Sequence, residues 1–172
     1  LSDRRQRQMC IRDSNRSMQP FQYDGGEWVL LFNGSIYNFK KIRQILKMKG
    51  YHFKTEGDTE VVYIAFREYG TDCFKFFNGM WSIVLFNKFN GQLIISRDRL
   101  GVKPLYYYID KKEIFIASEP ICFLEKSVSN FEKNIIQIKK FIYCGIHDDD
   151  QNTFYKKIKQ LEPNSLLKIN FQ

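Results

Sequence analysis

The sequence is organised around residues 28–38, which read Trp28-Val29-Leu30-Leu31-Phe32-Asn33-Gly34-Ser35-Ile36-Tyr37-Asn38. The first five of these residues are continuously apolar, a pattern typical of a strand buried on both faces. Asn33 and Gly34 then favour a sharp turn, because Asn tolerates a left-handed backbone and Gly has no Cβ atom. We therefore predict a strand that enters a tight polar turn and leaves it as a helix, a junction that can hold a small ligand.

This junction offers two hydrogen-bond donors, the side-chain amide of Asn33 and the backbone N–H of Gly34. Donors fixed in this way stabilise the oxyanion that forms when a carbonyl group is attacked. An isolated Asn-Gly pair, however, is usually only a turn. The stretches that accompany the pair decide between the two interpretations.

Two amphipathic helices are predicted after the junction. Asn38 is a favourable N-cap for the first helix, which ends at Gly50 and carries lysines and Arg43 on its polar face. Asp58 begins the second helix as its N-cap, and Gly70 ends it. The apolar faces consist of Phe39, Ile42, Ile45 and Leu46 in the first helix and of Val62, Ala65, Phe66 and Tyr69 in the second. We expect both helices to pack inward.

The second half of the chain consists of short apolar runs separated by turn signals. Residues 80–86 and 93–96 surround Asn90-Gly91 and predict one β-hairpin, and residues 105–109 and 114–117 predict another. Isoleucines within residues 135–142 predict a further helix, and residues 166–169 predict a last strand. Helices and antiparallel strands in separate runs indicate the α+β class.

Length and composition indicate one globular domain. The chain has 172 residues, of which 44% are hydrophobic and 16% aromatic, enough to bury a sizeable core. No apolar run reaches the length of a membrane span, so we expect a cytoplasmic protein. The cysteines and histidines form no metal-binding pattern, and we predict reduced, mostly buried thiols and no metal site. They are Cys10, Cys73, Cys122, Cys144, His52 and His147.

The formal net charge of +8 raises the question of nucleic-acid binding. A nucleic-acid-binding face concentrates its basic residues, whereas here lysines and arginines are spread along the chain and interleaved with acids. This pattern is typical of a solvated surface. We predict no nucleic-acid partner.

Several motifs occur in a fixed order along the chain. They are Arg16-Ser17-Met18-Gln19-Pro20, Asn33-Gly34-Ser35-Ile36-Tyr37-Asn38, Gly57-Asp58-Thr59-Glu60-Val61, Asn78-Gly79-Met80-Trp81, Arg97-Asp98-Arg99-Leu100-Gly101-Val102-Lys103-Pro104-Leu105-Tyr106-Tyr107 and Ala117-Ser118-Glu119. Together they resemble the glutamine-hydrolysing domain of asparagine synthase and its class II amidotransferase relatives. The resemblance implies an N-terminal-nucleophile hydrolase-like fold, a four-layer α/β/β/α sandwich with mainly antiparallel sheets. We interpret residues 15–172 as this glutaminase domain, truncated at its N-terminus and without the downstream synthetase domain.

Residues 1–14 do not match the N-terminus of that family. They carry four arginines, show no periodicity and are similar to a translated sequencing-library adapter. We interpret them as a non-native or disordered segment that does not pack on the domain. A native basic arm is the alternative.

The resemblance also implies a mechanism. In the family, an N-terminal cysteine attacks the side-chain amide of glutamine, and its own α-amino group is the base. By resemblance, Asn33 and Gly34 form the oxyanion hole, and Asp58 binds the α-ammonium group of glutamine. Ser35 stands at the rim of the site, where the family usually has glutamate, which puts glutamine affinity in question. The predicted substrate site therefore comprises Asn33, Gly34, Ser35 and Asp58.

The nucleophile and the arginine that holds the glutamine carboxylate belong, by resemblance, to the part replaced by residues 1–14. Cys10 is no substitute, because it has no free α-amino group beside it. We therefore expect this chain alone to be inactive. For Arg97-Asp98-Arg99 we prefer a structural ion-pair and turn role near the ammonia exit over anion binding, because no glycine-rich phosphate loop accompanies it.

The leading functional hypothesis is a fragment of an asparagine synthase-like enzyme that releases ammonia from glutamine for ATP-dependent amidation of aspartate. The first alternative is an amidotransferase of the same family that modifies another carboxylate, in a polysaccharide or a peptide. The second is a non-catalytic scaffold of the same fold. The expected partners are L-glutamine, the missing synthetase domain and, for the full-length protein, a second copy in a homodimer. No cofactor is expected here, because ATP and Mg²⁺ bind to the synthetase domain in the family.

Overall fold

The computed structural model describes residues 19–23, 25–110, 113–125, 131–146 and 150–170. Residues 1–14, with Cys10, lie outside the described residues, so their predicted lack of packing stays a prediction. The elements in chain order are β1 (Trp28–Ile36), α1 (Phe39–Met48), α2 (Asp58–Tyr69), a 3-10 helix (Gly70–Lys75), β2 (Gly79–Asn87), β3 (Gln92–Arg97), β4 (Tyr106–Ile109), β5 (Ile114–Ala117), α3 (Ile121–Glu125), α4 (Ile135–Cys144), β6 (Lys159–Gln160) and β7 (Leu166–Asn170).

The strands form two antiparallel sheets. Sheet A has the order β1-β2-β3-β7, and sheet B has the order β5-β4-β6. The hairpins β2–β3 and β4–β5 and the strand β7 are where the sequence predicts them, but the two hairpins belong to different sheets. β3 lies inside sheet A and is buried on both faces, because Ile94 packs towards the helices and Ile95 towards sheet B.

Three apolar clusters define the layers of the molecule. Between the helices α1 and α2 and sheet A lie side chains such as Leu30, Ile36, Leu46, Val62 and Ile83. Between the two sheets lie Leu93, Ile95, Leu105 and Leu161. On the outer face of sheet B, Phe123 of α3 packs with Tyr108 and Ile158. The order is helices, sheet, sheet and helix, which confirms the predicted α+β, four-layer sandwich.

β1 differs from the prediction in its burial. Leu30 and Phe32 are buried under the helices, whereas Leu31 is 46% exposed. The prediction of a strand buried on both faces is therefore wrong. β1 is the edge strand of sheet A, and the second sheet covers its other face incompletely.

The predicted turn at Asn33-Gly34 is also wrong, because β1 continues through both residues to Ile36. Gly34 is needed for a close approach of two strands. A Cβ atom at Gly34 would lie 2.1 Å from the carbonyl oxygen of Met80 on β2 and 2.7 Å from the Cα atom of Trp81. The chain turns only at Tyr37 and Asn38, and α1 begins at Phe39.

The polar ends of the two helices need three corrections. Asn38 occupies the N-cap position of α1, but its side chain bonds to the backbone of Phe76 and Asn78 instead of to the helix. Asp58 is the first residue of α2, and Gly57 is the N-cap. Arg43, assigned to the polar face of α1, is only 6% exposed because backbone carbonyl groups of the α1–α2 loop surround its guanidinium group.

Of the cysteines in the described part of the chain, Cys73 is buried but Cys122 and Cys144 are exposed, so the prediction of mostly buried thiols is wrong for two of them. Within the same residues, no group of His, Cys, Asp and Glu side chains could hold a metal ion. No helix in the described ranges is long and apolar enough to cross a membrane.

Candidate functional site

The outer edge of β1 carries a row of backbone groups that β2 does not use. Trp81 of β2 faces Gly34, and its N–H and C=O groups both bond to Asp98, away from β1. Residues of an antiparallel pair alternate between bonding to each other and pointing outwards. Leu30, Phe32, Gly34 and Ile36 therefore direct their N–H groups to the free edge of β1.

Three of these four N–H groups have partners in the structure. The Leu30 N–H donates to the carbonyl oxygen of Phe21 at 2.8 Å. The Phe32 N–H donates to the side-chain oxygen of Gln19 at 2.8 Å, and the amide nitrogen of Gln19 donates back to the carbonyl oxygen of Phe32. The Ile36 N–H donates to Oδ2 of Asp58 at 2.9 Å.

Gly34 is the exception in this row. No acceptor for its N–H occurs in the part of the chain that the structure describes. Gln19 occupies the backbone groups before it and Asp58 the N–H group after it, so further pairing of this edge is interrupted on both sides. A free donor at a fixed position suits a carbonyl oxygen or an oxyanion.

Asp58 and Gly34 lie one strand repeat apart. Because Ile36 follows Gly34 by two residues, the N–H group that binds Asp58 lies about 7 Å from the Gly34 N–H. Asp58 thus binds at the end of β1 where Asn33 and Gly34 lie. Their assignment to one substrate site stays a prediction.

Asn33 lies on the face of β1 that is turned towards sheet B. There it lines a cavity of about 710 Å³, with apolar residues of both sheets and with Gln19, Ser82 and Ser118. Of the four predicted site residues, only Asn33 is among those described as lining this cavity. Gly34 and Asp58 present their polar groups along the adjoining edge, and Ser35 is half-buried opposite Met80. The prediction that all four line one cleft stays a prediction.

The loop after β3 lies beside Trp81, on the side of β2 that faces away from Gly34. The Asp98 carboxylate accepts hydrogen bonds from the N–H groups of Leu100, Val102 and Lys103, at 2.9 to 3.0 Å, and is 1% exposed. Asp98 thereby holds the loop against the strand end at Trp81.

Arg97 acts on the carbonyl groups of the same region. It donates to the carbonyl oxygens of Gly101, Lys103 and Leu161, at 2.6 to 2.8 Å. The predicted structural turn role of Arg97 and Asp98 is confirmed, but the predicted ion pair is wrong, because among the described residues both side chains bind backbone groups and form no ion pair with each other. The predicted proximity to an ammonia exit stays a prediction.

Sequence reasoning missed the contribution of Gln19, Arg43 and Glu60. Gln19 belongs to a recognised motif, but nothing in the sequence shows that its amide would pair with Phe32. Glu60, two residues after Asp58, is fully buried. Burial alone would raise the pKa of Glu60, but hydrogen bonds from the Lys54 N–H, Tyr23 and Thr55 outweigh it and lower the pKa.

Comparison with known proteins identifies the family. A family model described as a glutamine amidotransferase domain matches residues 4–172. The chain belongs to the glutamine amidotransferase family. The match begins inside the segment interpreted as non-native, whose origin stays a prediction.

Relatives of this amidotransferase domain are named as asparagine synthetases. The chain is 30% identical over 165 residues to the glutamine-hydrolyzing asparagine synthetase 1 of Bacillus subtilis (strain 168), covering 95% of the chain and 26% of the relative. It is also 30% identical over 171 residues to asparagine synthetase 2 of the same organism, covering 95% of the chain and 22% of the relative. The amidotransferase chain thus spans about a quarter of the length of these relatives.

Solved structures show the same fold. The glutamine phosphoribosylpyrophosphate amidotransferase of B. subtilis, complexed with ADP and GMP, superposes with a TM-score of 0.61 at 20% identity. The alignment covers 88% of this chain and 30% of that structure. A structure of the allosteric regulatory enzyme of purine biosynthesis gives a TM-score of 0.62 at 20% identity, covering 90% of this chain and 30% of that one. The likeness establishes the N-terminal-nucleophile hydrolase fold of the amidotransferase domain.

Proposed function

We propose that this chain is the glutamine-hydrolysing part of an asparagine synthase-like enzyme, which releases ammonia from glutamine for ATP-dependent amidation of aspartate. The observations that carry the proposal are the Gly34 N–H, which has no acceptor among the described residues, and the Asp58 carboxylate, which binds the Ile36 N–H one strand repeat away. The names of the relatives support glutamine as the source of ammonia.

In this proposal, the side-chain carbonyl oxygen of glutamine accepts hydrogen bonds from the Asn33 amide and the Gly34 N–H. When a thiolate attacks the carbonyl carbon, the π electrons move to this oxygen, and both bonds strengthen because the oxygen becomes negatively charged. The C–N bond then breaks as the nitrogen takes up a proton, and ammonia leaves. Water hydrolyses the resulting thioester to glutamate and regenerates the thiol.

Asp58 supplies the counter-charge for the α-ammonium group of the substrate. One carboxylate oxygen is already bonded to the Ile36 N–H, which fixes the group and leaves the other oxygen for the ligand. At Ser35, a neutral hydroxyl stands in place of the family's usual carboxylate. We expect weaker attraction for the ammonium group than in relatives with glutamate.

The nucleophile in this proposal is an N-terminal cysteine whose free α-amino group is the base. We assign this role to none of the four cysteines of the 172 residues, and we propose that this chain by itself releases no ammonia. ATP and Mg²⁺ are assigned to a synthetase domain, and the cytoplasmic location is part of the same proposal. The greater length of the relatives leaves room for such a domain.

The test uses a protein in which residues 1–14 are replaced by the family's N-terminal strand, with its cysteine first and its arginine. Glutamate and ammonia release are measured against glutamine concentration. We expect Asn33→Ala to lower kcat about a hundred- to a thousand-fold with little change in KM. Asp58→Asn should chiefly raise KM.

The unmodified 172-residue chain is the matched control. If it turns over glutamine, and this activity survives Cys10→Ala but not Asn33→Ala, the nucleophile has been misplaced. If kcat of the complete protein is indifferent to Asn33→Ala, the oxyanion role is wrong.

A further inference from the structure

The segment before Asp58, residues 54–57, is held by two buried charged side chains. Glu60 of α2 is 0% exposed and binds its N–H groups. The carboxylate accepts from the Lys54 N–H at 2.8 Å, from the Thr55 N–H at 2.6 Å and from the Thr55 hydroxyl at 2.7 Å. The hydroxyl of Tyr23 also donates to it. Both carboxylate oxygens are therefore fully used.

Arg43 of α1 binds the carbonyl groups of the same segment. Its two terminal nitrogens donate to the carbonyl oxygens of Thr55, at 2.8 Å, and of Gly57, at 2.7 Å. The guanidinium group also lies over the ring of Phe53, 4.9 Å from its centre. Its ion pair with Glu56, at 2.9 Å, adds little, because the Glu56 side chain is 92% exposed.

Stability alone does not explain this arrangement. Buried charges lose their hydration, and apolar side chains of similar volume often give a more stable core. The Nε atom of Arg43 is buried and has no partner in the described part of the chain, a further cost. What the pair supplies is geometry. The Glu60 carboxylate and the Arg43 guanidinium group fix successive peptide groups of residues 54–57, the segment that leads directly into Asp58.

We propose that Arg43 and Glu60 are positioning residues that set Asp58 against the Ile36 N–H and thereby set the position of the substrate's α-ammonium group. The Gly57 carbonyl bonded by Arg43 belongs to the peptide unit that includes the Asp58 nitrogen. A rotation of this unit moves the Asp58 side chain relative to β1. The inference rests on the proposed function, since it gives Asp58 its ligand.

The experiment compares Arg43→Lys and Lys49→Gln in the 172-residue chain. Lys keeps a positive charge at position 43, but its single nitrogen cannot reproduce the guanidinium fork across two carbonyl groups. Lys49 forms an ion pair with Glu68, at 2.5 Å, that joins the ends of the same two helical regions without touching residues 54–57. Lys49→Gln is therefore the matched control.

The first measurement is amide hydrogen exchange at Ile36, with Leu31, in the β1–β2 ladder, as internal reference. We expect Arg43→Lys to accelerate exchange at Ile36 about tenfold or more relative to Leu31, since a hydrogen bond to a charged acceptor is weakened. Lys49→Gln should leave the ratio unchanged. An unchanged ratio in Arg43→Lys, or equal acceleration at both amides, overturns the positioning role.

The second measurement is the Kd of L-glutamine, followed by NMR titration of the protein that carries the family's N-terminal strand, with and without the same two substitutions. A rise of about tenfold in Arg43→Lys and none in Lys49→Gln supports the proposal. An unchanged Kd together with altered Ile36 exchange overturns it, because Asp58 would then not be set for the ligand. If the protein with the family's N-terminal strand shows no glutamine binding, the proposed function fails, while the exchange ratio in the 172-residue chain still decides whether Arg43 positions Asp58. The same two measurements on Glu60→Gln test the other positioning residue, because this substitution removes the negative charge of the pair.

Discussion

Substitution of Gly34 by Ala tests whether the close approach of β1 and β2 at this position requires a residue without a Cβ atom. A Cβ atom there would lie 2.1 Å from the Met80 carbonyl oxygen, whereas ordinary contact begins at 3.4 Å, so the strands must separate locally by 3.4 − 2.1 = 1.3 Å. The neighbouring pairs Asn33–Ser82 and Ser35–Met80 are hydrogen-bonded pairs of the ladder. A separation of this size breaks or lengthens their bonds.

The cost follows from the number of bonds affected. Each hydrogen-bonded pair exchanges two bonds, and each bond stabilises the fold by about 1 kcal/mol. Loss of half of these bonds lowers the free energy of unfolding by about 2 kcal/mol, and loss of all of them by about 4 kcal/mol. We therefore expect Gly34→Ala to destabilise the domain by about 2–4 kcal/mol.

Urea unfolding at equilibrium measures this change, with the slope of the transition as a check that the unfolded state is unaltered. Ser35→Ala is the control, since it adds no atom to the same strand and should change stability by less than about 0.5 kcal/mol. A Gly34→Ala protein as stable as the Ser35→Ala protein would refute the close-approach explanation. Gly34 would then have to be explained by its exposed N–H alone.

Two further predictions concern titratable side chains. Glu60→Gln should lower the free energy of unfolding by about 2–4 kcal/mol at neutral pH, because one carboxylate oxygen and its bonds are lost. Burial opposes ionisation of Glu60, but its hydrogen bonds lower its pKa overall, so the stabilisation is present above the unfolded-state pKa and lost as pH falls through the folded-state pKa. The unfolding curves of the two proteins should therefore converge in acid. A thiol reagent should modify the exposed Cys122 and Cys144 in the native protein but Cys73 only after unfolding. The reason is that Cys73 is buried and that burial raises the pKa of its thiol. Mass spectrometry of the labelled protein checks this expectation.

Local signals were sufficient for most of the fold. Turn residues and alternating apolar runs located the hairpin around Asn90-Gly91, and helical periodicity located α1 and α2. The same local reasoning failed at Asn33-Gly34, where an identical dipeptide lies inside a strand. The difference is tertiary. Gly34 is fixed by the closeness of Met80 and Trp81, which the sequence around residue 34 does not contain.

The sequence predicted the candidate site as a set of residues, whose roles stay a prediction, but it did not predict the geometry. The motifs named Asn33, Gly34 and Asp58, and the structure brings them to one strand end. The free direction of the Gly34 N–H depends on which residues of β1 and β2 form hydrogen-bonded pairs, and this register is set by the whole ladder. The burial of Arg43 likewise depends on carbonyl groups of Thr55 and Gly57, so its helical position alone assigned it to the solvent.

Two loops at the Gly34 end of sheet A share one mode of support. Such loops lack the hydrogen bonds of a strand ladder, yet their buried backbone groups must still find partners. Arg43 and Glu60 bind the backbone polar groups of the loop before α2, and Arg97 and Asp98 bind those of the loop after β3. In each pair the guanidinium group donates to carbonyl groups and the carboxylate accepts from N–H groups. One loop leads to Asp58 beside β1 and the other is fixed to Trp81 opposite Gly34, so the Gly34 N–H, which has no acceptor in the described ranges, is held from both sides. A donor held in this way needs little reorganisation when charge develops on its acceptor, which is the property that an oxyanion hole requires.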